Sequence, residues 1–228
     1  MQQRNSVAFR YAGCLRLAQC AIGLMLAAAL AWAAPAAAQD RTPASGNRVV
    51  LVMGDSLSAG YGMQAAQGWV ALLGERLARR TPPWDVVNAS ISGETTAGGR
   101  SRIIDALARH RPQLVVIALG ANDGLRGLPT TGTAANLAWM IGAAHGTGAE
   151  VLLVGMRMPP NLGPDYTRAF ADNYRELAER FDVALLPFLL EPVALDPKAY
   201  QDDNLHPVAA VQPRLMEHVW QALEPLLD

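Results

Sequence analysis

Val49-Val50-Leu51-Val52-Met53-Gly54-Asp55-Ser56-Leu57-Ser58 decides the fold. Its first five residues are an unbroken apolar run. A strand with one wet face would alternate, so this one suits a sheet covered on both faces. The run stops at Gly54, and small polar residues follow where a helix can start. A buried strand that turns straight into a helix is the opening unit of a parallel α/β sheet.

The pattern recurs outward from this stretch. Further apolar runs lie at Val86-Val87, Leu114 to Leu119, Val151 to Val154 and Val183 to Leu186. Helical stripes separate them: Trp69, Leu72, Leu73 and Leu77; Ile103, Ile104 and Leu107; Leu137, Met140, Ile141 and Ala144; Phe170, Tyr174, Leu177, Ala178 and Phe181. A last stripe, Val208, Val211, Leu215, Val219 and Leu223, contains Pro213, which kinks it or limits its first turn. Trp69, Trp84, Trp139 and Trp220 are expected in the core or over the sheet. Five strands alternating with helices predict an α/β protein, a single three-layer α/β/α domain with a flavodoxin-like, five-stranded parallel sheet. No repeat or linker interrupts it, so one domain is expected over 48–228. In such sheets the working site lies at the carboxyl ends of the strands.

The beginning of the chain differs in kind. Residues 1–38 carry Arg4, Arg10 and Arg16 and no acid. An apolar run from Ala21 to Ala34 is too short to span a bilayer and exits through Ala36-Ala37-Ala38. This is the pattern of a secretory signal peptide cleaved after Ala38, which implies a periplasmic or secreted enzyme. Residues 39–47 read as a flexible lead-in. Removal of 1–38 leaves 190 residues with 16 basic and 20 acidic side chains, a charge of −4. Both cysteines, Cys14 and Cys20, leave with the signal, so no disulfide or thiol nucleophile is expected. The whole chain has a formal charge of −1, without the basic footprint that nucleic acid or an anionic membrane selects. No nucleic-acid partner, at most transient membrane contact, and a monomer are expected.

Four loops at the strand ends are richer in polar and small residues than turns require. Gly54-Asp55-Ser56 follows the first strand; taken singly, Asp55 or Ser56 reads equally as a helix cap. Asn88-Ala89-Ser90-Ile91-Ser92-Gly93-Glu94 follows the second, where Gly93 lets a backbone N–H approach a ligand. By itself it reads as a plain loop. Gly120-Ala121-Asn122-Asp123-Gly124 follows the third and is good turn chemistry, yet Asn122 can donate two side-chain hydrogen bonds. The last loop is Gln201-Asp202-Asp203-Asn204-Leu205-His206-Pro207. The spacing of three from Asp203 to His206 lets the carboxylate fix the imidazole tautomer and leave the other nitrogen as a base. His110, His145 and His218 lie in or at the ends of helical patterns and read as surface or capping residues. Together the loops supply an acyl-transfer site: Ser56 as nucleophile, His206 as base, Asp203 as its orienter. The N–H of Ser56, the N–H of Gly93 and the Asn122 amide would form the oxyanion hole.

This set resembles the SGNH, or GDSL-type, hydrolase family. The four marker residues match Ser56, Gly93, Asn122 and His206, with Asp203 in the D-x-x-H place, and the resemblance covers about residues 48–225. Gly54 to Tyr61, Asn88 to Gly93, Gly124 to Leu128, Met156 to Asn161, Leu186 to Phe188 and Gln201 to Asp203 look closer still to the bacterial periplasmic thioesterase I/lysophospholipase subgroup, often labelled arylesterase. One departure is Ala121, where many members carry Gly. The resemblance implies a serine hydrolase acting on acyl esters and thioesters, with aryl esters, acyl-CoA and lysophospholipids as substrate classes.

Leu125, Met158 and Pro159, with Leu128, Leu162 and Phe188, are candidates for an acyl-binding groove, and read equally as cover for the sheet ends. No G-x-G-x-x-G opens the first helix, and no H-E-x-x-H or histidine cluster appears, so neither cofactor nor metal is expected. Arg126 and Arg157 read as solvated loop arginines. The α/β-hydrolase pattern fits poorly, because Ser58 stands at the last glycine of G-x-S-x-G and Asp203 shares a loop with His206. Two alternatives remain: a carbohydrate O-acetylesterase of the same family, and a non-catalytic, flavodoxin-like anion-binding module.

Overall fold

The computed structural model describes residues 47–227. The expected signal peptide and the lead-in before Asn47 lie outside the described residues. The strands are β1 (Arg48–Gly54), β2 (Trp84–Asn88), β3 (Leu114–Ala118), β4 (Glu150–Val154) and β5 (Ala184–Leu186). The helices are α1 (Ser56–Ala59), α2 (Trp69–Ala78), α3 (Thr96–His110), α4 (Ala121–Leu125), α5 (Thr130–His145), α6 (Pro164–Phe181) and α7 (Gln212–Leu223). The five strands form one parallel sheet in the order β2-β1-β3-β4-β5. This is the doubly wound, flavodoxin-like order.

The winding follows from chain handedness. The path from β1 to β2 runs one way along the sheet, and every later step runs the other way. Right-handed crossovers therefore put α2 on one face and α3, α5 and α6 on the other. Contacts agree: α2 packs on α7, whereas α5 packs on both α3 and α6. Val50 to Met53 of β1 and Leu114 to Ile117 of β3 are fully buried between these layers. The runs at β2 and β5 belong to edge strands and are only partly covered.

The helical stripes keep their inner members. Ile103 and Leu107 are buried in α3 and Leu137, Met140, Ile141 and Ala144 in α5, each such Leu or Ile stabilising by about 1.5–3 kcal/mol. Two expectations fail. Ile104 is half-exposed, because adjacent helical positions point about 100° apart and Ile103 takes the inner one. Trp139 is also exposed, on the outer face of α5 beneath the Arg100 guanidinium. Pro213 stands in the first turn of α7, so it limits the helix rather than kinking it. Val211 precedes that turn.

The register brings the loops to one edge. Gly54 pairs with Ala118, and Val52 with Asn88, so β1, β2 and β3 end nearly level. Fully buried Tyr174 donates its phenol to Leu119 O at 2.9 Å and fixes the chain just past β3. Past β4, Gly155 accepts from Leu189 N and donates to Leu186 O. A Cβ on Gly155 would lie 2.4 Å from Pro187 O, a backbone atom that cannot swing aside. Gly155→Ala is expected to destabilise by about 1–3 kcal/mol, read as a lower denaturation midpoint with an unchanged m-value. An unchanged midpoint would show that these two exits can separate freely.

Candidate active site

Asp55 caps the short helix α1, its carboxylate accepting from Leu57 N at 3.0 Å. This places Ser56 in the first helical position directly beyond β1, with its side chain partly exposed. Gly60 closes the helix in the left-handed conformation. One turn of helix thus presents the hydroxyl at the sheet edge.

The imidazole that meets it comes from 150 residues away. His206 Nε2 lies 2.8 Å from Ser56 Oγ, and His206 Nδ1 lies 2.7 Å from Asp203 Oδ2. The other carboxylate oxygen of Asp203 accepts from the backbone N–H of Leu205 and of His206, at 2.9 and 3.0 Å. The backbone N–H of His206, its ring and the Leu205 N–H hold this carboxyl down at about 2. It is therefore anionic wherever His206 acts as a base, and Nδ1 carries the ring proton. The remaining histidines stand apart: His145 is exposed, His110 ends α3, and His218 bonds to Phe188 O.

Gly93 and Asn122 converge on the same point. The loop after β2 is tied back to the Ser56 turn by Asn88 Nδ2 to Ser58 O at 2.9 Å and Ile91 N to Gly54 O at 3.0 Å. Gly93 has φ of 80°, a conformation that strains any residue with a Cβ. Asn122, in α4, donates to Glu94 O at 3.1 Å, with Asp55 Oδ2 at 3.5 Å. Glu94 is itself clamped by Arg102. Asp123, buried, accepts from Thr96 N at 2.8 Å and locks the Asn122 turn to the start of α3. Ser56, Gly93, Asn122 and His206 all line one cavity of about 590 Å³.

The chain that carries this Ser–His–Asp arrangement is similar to known proteins. The profile of the GDSL-like Lipase/Acylhydrolase family fits residues 52–212. The chain belongs to this family. Esterase TesA of Pseudomonas aeruginosa is 50% identical over 180 residues, covering 79% of this chain and 90% of that protein. The Escherichia coli K12 protein named thioesterase 1/protease 1/lysophospholipase L1 is 42% identical over 179 residues, covering 78% and 85%. The crystal structure of TesA matches with a TM-score of 0.77 at 50% identity, covering 79% of this chain and 100% of that one.

For this GDSL-like enzyme the cavity walls are largely apolar. Leu125, Met158, Pro159 and Phe188 line it; Leu128 and Leu162 are not among the lining residues. Leu57, Tyr61, Met156, Leu190, Tyr200 and Leu205 also line it, and none of them carries a local pattern that marks it as facing a cavity. Arg157 lines the wall with its guanidinium over the Phe188 ring, and Arg126 donates to Gly93 O at 3.0 Å. Both are exposed, as solvated loop arginines are, and each also has a partner in the protein. Among the described residues no group of His, Cys, Asp and Glu is placed to hold a metal.

Asp55 has the opposite electrostatics to Asp203. Burial raises its carboxyl from 3.8 to about 6, against smaller opposing effects from Leu57 N–H, His206 and Asn122. A raised acid contributes stability below its unfolded value and loses it as pH climbs through the folded one. Asp55→Asn keeps an oxygen for Leu57 N but cannot ionise. The melting temperature of the native protein should therefore fall relative to Asp55→Asn between about pH 4 and pH 7. A difference that is flat over this window would contradict the burial argument. Asn122→Ala should lower kcat by about 10²–10³-fold with a smaller change in KM, measured on a chromogenic ester. A loss confined to KM would remove Asn122 from transition-state stabilisation.

Proposed function

We propose that the protein is a serine esterase and thioesterase that cleaves acyl esters and thioesters through an acyl-enzyme. The observation that carries this reading is the 2.8 Å contact of Ser56 Oγ with His206 Nε2 at the wall of an apolar cavity. His206 Nε2 accepts the Ser56 proton as Oγ adds to the substrate carbonyl. The carbonyl oxygen becomes an oxyanion held by the N–H groups of Ser56 and Gly93 and by Asn122 Nδ2. Asp203 stabilises the imidazolium without taking its proton. The tetrahedral adduct collapses, and His206 returns the proton to the departing alcohol or thiol. Water, deprotonated by His206, then releases the acid and regenerates Ser56.

Substrate class follows from the walls. Leu125, Met158, Pro159, Phe188 and Leu190 offer an acyl chain a dry surface, with few groups to bond sugar hydroxyls. This favours fatty-acyl thioesters, aryl esters and lysophospholipids over acetylated carbohydrate. The names of the two curated relatives, an esterase and a thioesterase/lysophospholipase, support the same classes. The basic, apolar, small-residue pattern of residues 1–38 supports export and cleavage after Ala38, hence a periplasmic or secreted enzyme.

The purified protein should hydrolyse p-nitrophenyl acyl esters and acyl-CoA without added metal. Ser56→Ala should reduce kcat at least about 10⁴-fold. Turnover that survives Ser56→Ala would sink the acyl-enzyme scheme. Activity confined to acetyl esters would move the substrate to sugars, and no turnover at all would leave a binding module.

A further inference from the structure

Among the described residues, two hydrogen bonds join the nucleophile segment 56–62 to the His206 loop 200–207. One is the Ser56–His206 contact. The other is made by Gln201, whose Nε2 donates to Tyr61 O at 2.9 Å and to Pro207 O at 3.2 Å. Both amide hydrogens are thus used, one on each side of the gap. Gln201 also donates its backbone N–H to His206 O at 2.8 Å, and its carbonyl accepts from Asn204 N at 2.9 Å. It lies at the base of the loop that carries Asp203 and His206. That loop is pinched shut by the bridge between Tyr200 and Pro207.

The Tyr61 end is equally rigid. Tyr61 N donates to Ser56 O at 3.2 Å, one turn along from the nucleophile. The Tyr61 ring lies on the His206 ring, with centroids 4.5 Å apart and planes at 38°. Gly62 fits tightly beneath Gln201, since a Cβ there would lie 2.1 Å from Gln201 Oε1. Asp203 sets the rotation of the imidazole, but nothing in the Asp203–His206 pair sets the loop's distance from Ser56.

We propose that Gln201 is a positioning residue. It fastens the His206 loop to the nucleophile segment through the Tyr61 carbonyl, and the Tyr61 ring stops the imidazole from tilting away from Ser56 Oγ. This rests on the Ser56–His206–Asp203 reading and adds the part that sets its reach. Small errors in such a reach are expensive: a displacement near 1 Å can cost about 10²-fold in rate.

Gln201→Leu keeps the bulk and removes both donors. Gln201→Asn keeps the amide but shortens the arm by one methylene. Each should lower kcat by about 10–100-fold, with KM within about twofold and the midpoint of unfolding little changed. Tyr61→Leu should lose rate as the Gln201 variants do. The imidazole N–H resonance of His206 should persist in all of them, because Asp203 is untouched. Native kcat in both Gln201 variants, or a loss seen only in KM, overturns the proposal. If Gln201→Leu does not fold, the Asn and Tyr61→Leu variants decide by the same criteria. Ser56→Ala run alongside separates the two readings: its inactivity together with unimpaired Gln201 variants refutes only the positioning role.

Discussion

A parallel strand reaches its neighbour only by a crossover, and the crossover has one hand. From β1 the chain steps to β2 and then must pass back over β1 to reach β3. The two connections leave on opposite faces, so the strand ends at β1 and β3 have no helix lying across them. Ser56 follows one of these ends and Asn122 the other, with Gly93 beyond the adjacent β2. The opening is a property of winding, and every group that meets there depends on it. The loop with Asp203 and His206 arrives last, from beyond β5, and must be held across the gap.

Two aspartates near Ser56 show how position divides the same side chain into different work. Asp203 is open to solvent and surrounded by N–H donors, so its charge is welcome and permanent. Asp55 is buried beneath the nucleophile turn with one backbone donor, and its charge is resisted. The first polarises an imidazole. The second holds the short helix together and sits close to the Asn122 amide, where a full negative charge would oppose an oxyanion. Burial keeps that opposition small in the lower part of the pH range.

Much of this was legible beforehand, because the informative residues sit next to one another in the chain. Five apolar runs announce covered strands, and Gly54-Asp55-Ser56-Leu57 and Asp203-x-x-His206 carry their chemistry in local spacing. The convergence of Ser56, Gly93 and Asn122 follows from β1, β2 and β3 ending level, whereas His206 is carried in by the loop beyond β5. Other features have no local signature. Whether Ile104 or Ile103 faces inward depends on the phase of α3 against the sheet, and Trp139 is exposed because of how α5 is rotated. Gln201 and Arg126 act on backbone carbonyls of distant residues, and a carbonyl looks the same in every sequence position. Leu162 and Met158 are similar apolar residues four apart, yet only Met158 faces the cavity.

The segment after β4 supplies Met156, Arg157, Met158 and Pro159 to the cavity but none of the proton-transfer or oxyanion groups. It is anchored at Gly155 by backbone hydrogen bonds to Leu186, at the end of β5, and to Leu189 beyond it. A change of side chain on this strip would reshape the cavity wall without touching Ser56, Gly93, Asn122 or His206. Diversification of diet without reinvention of chemistry is what such a layout permits.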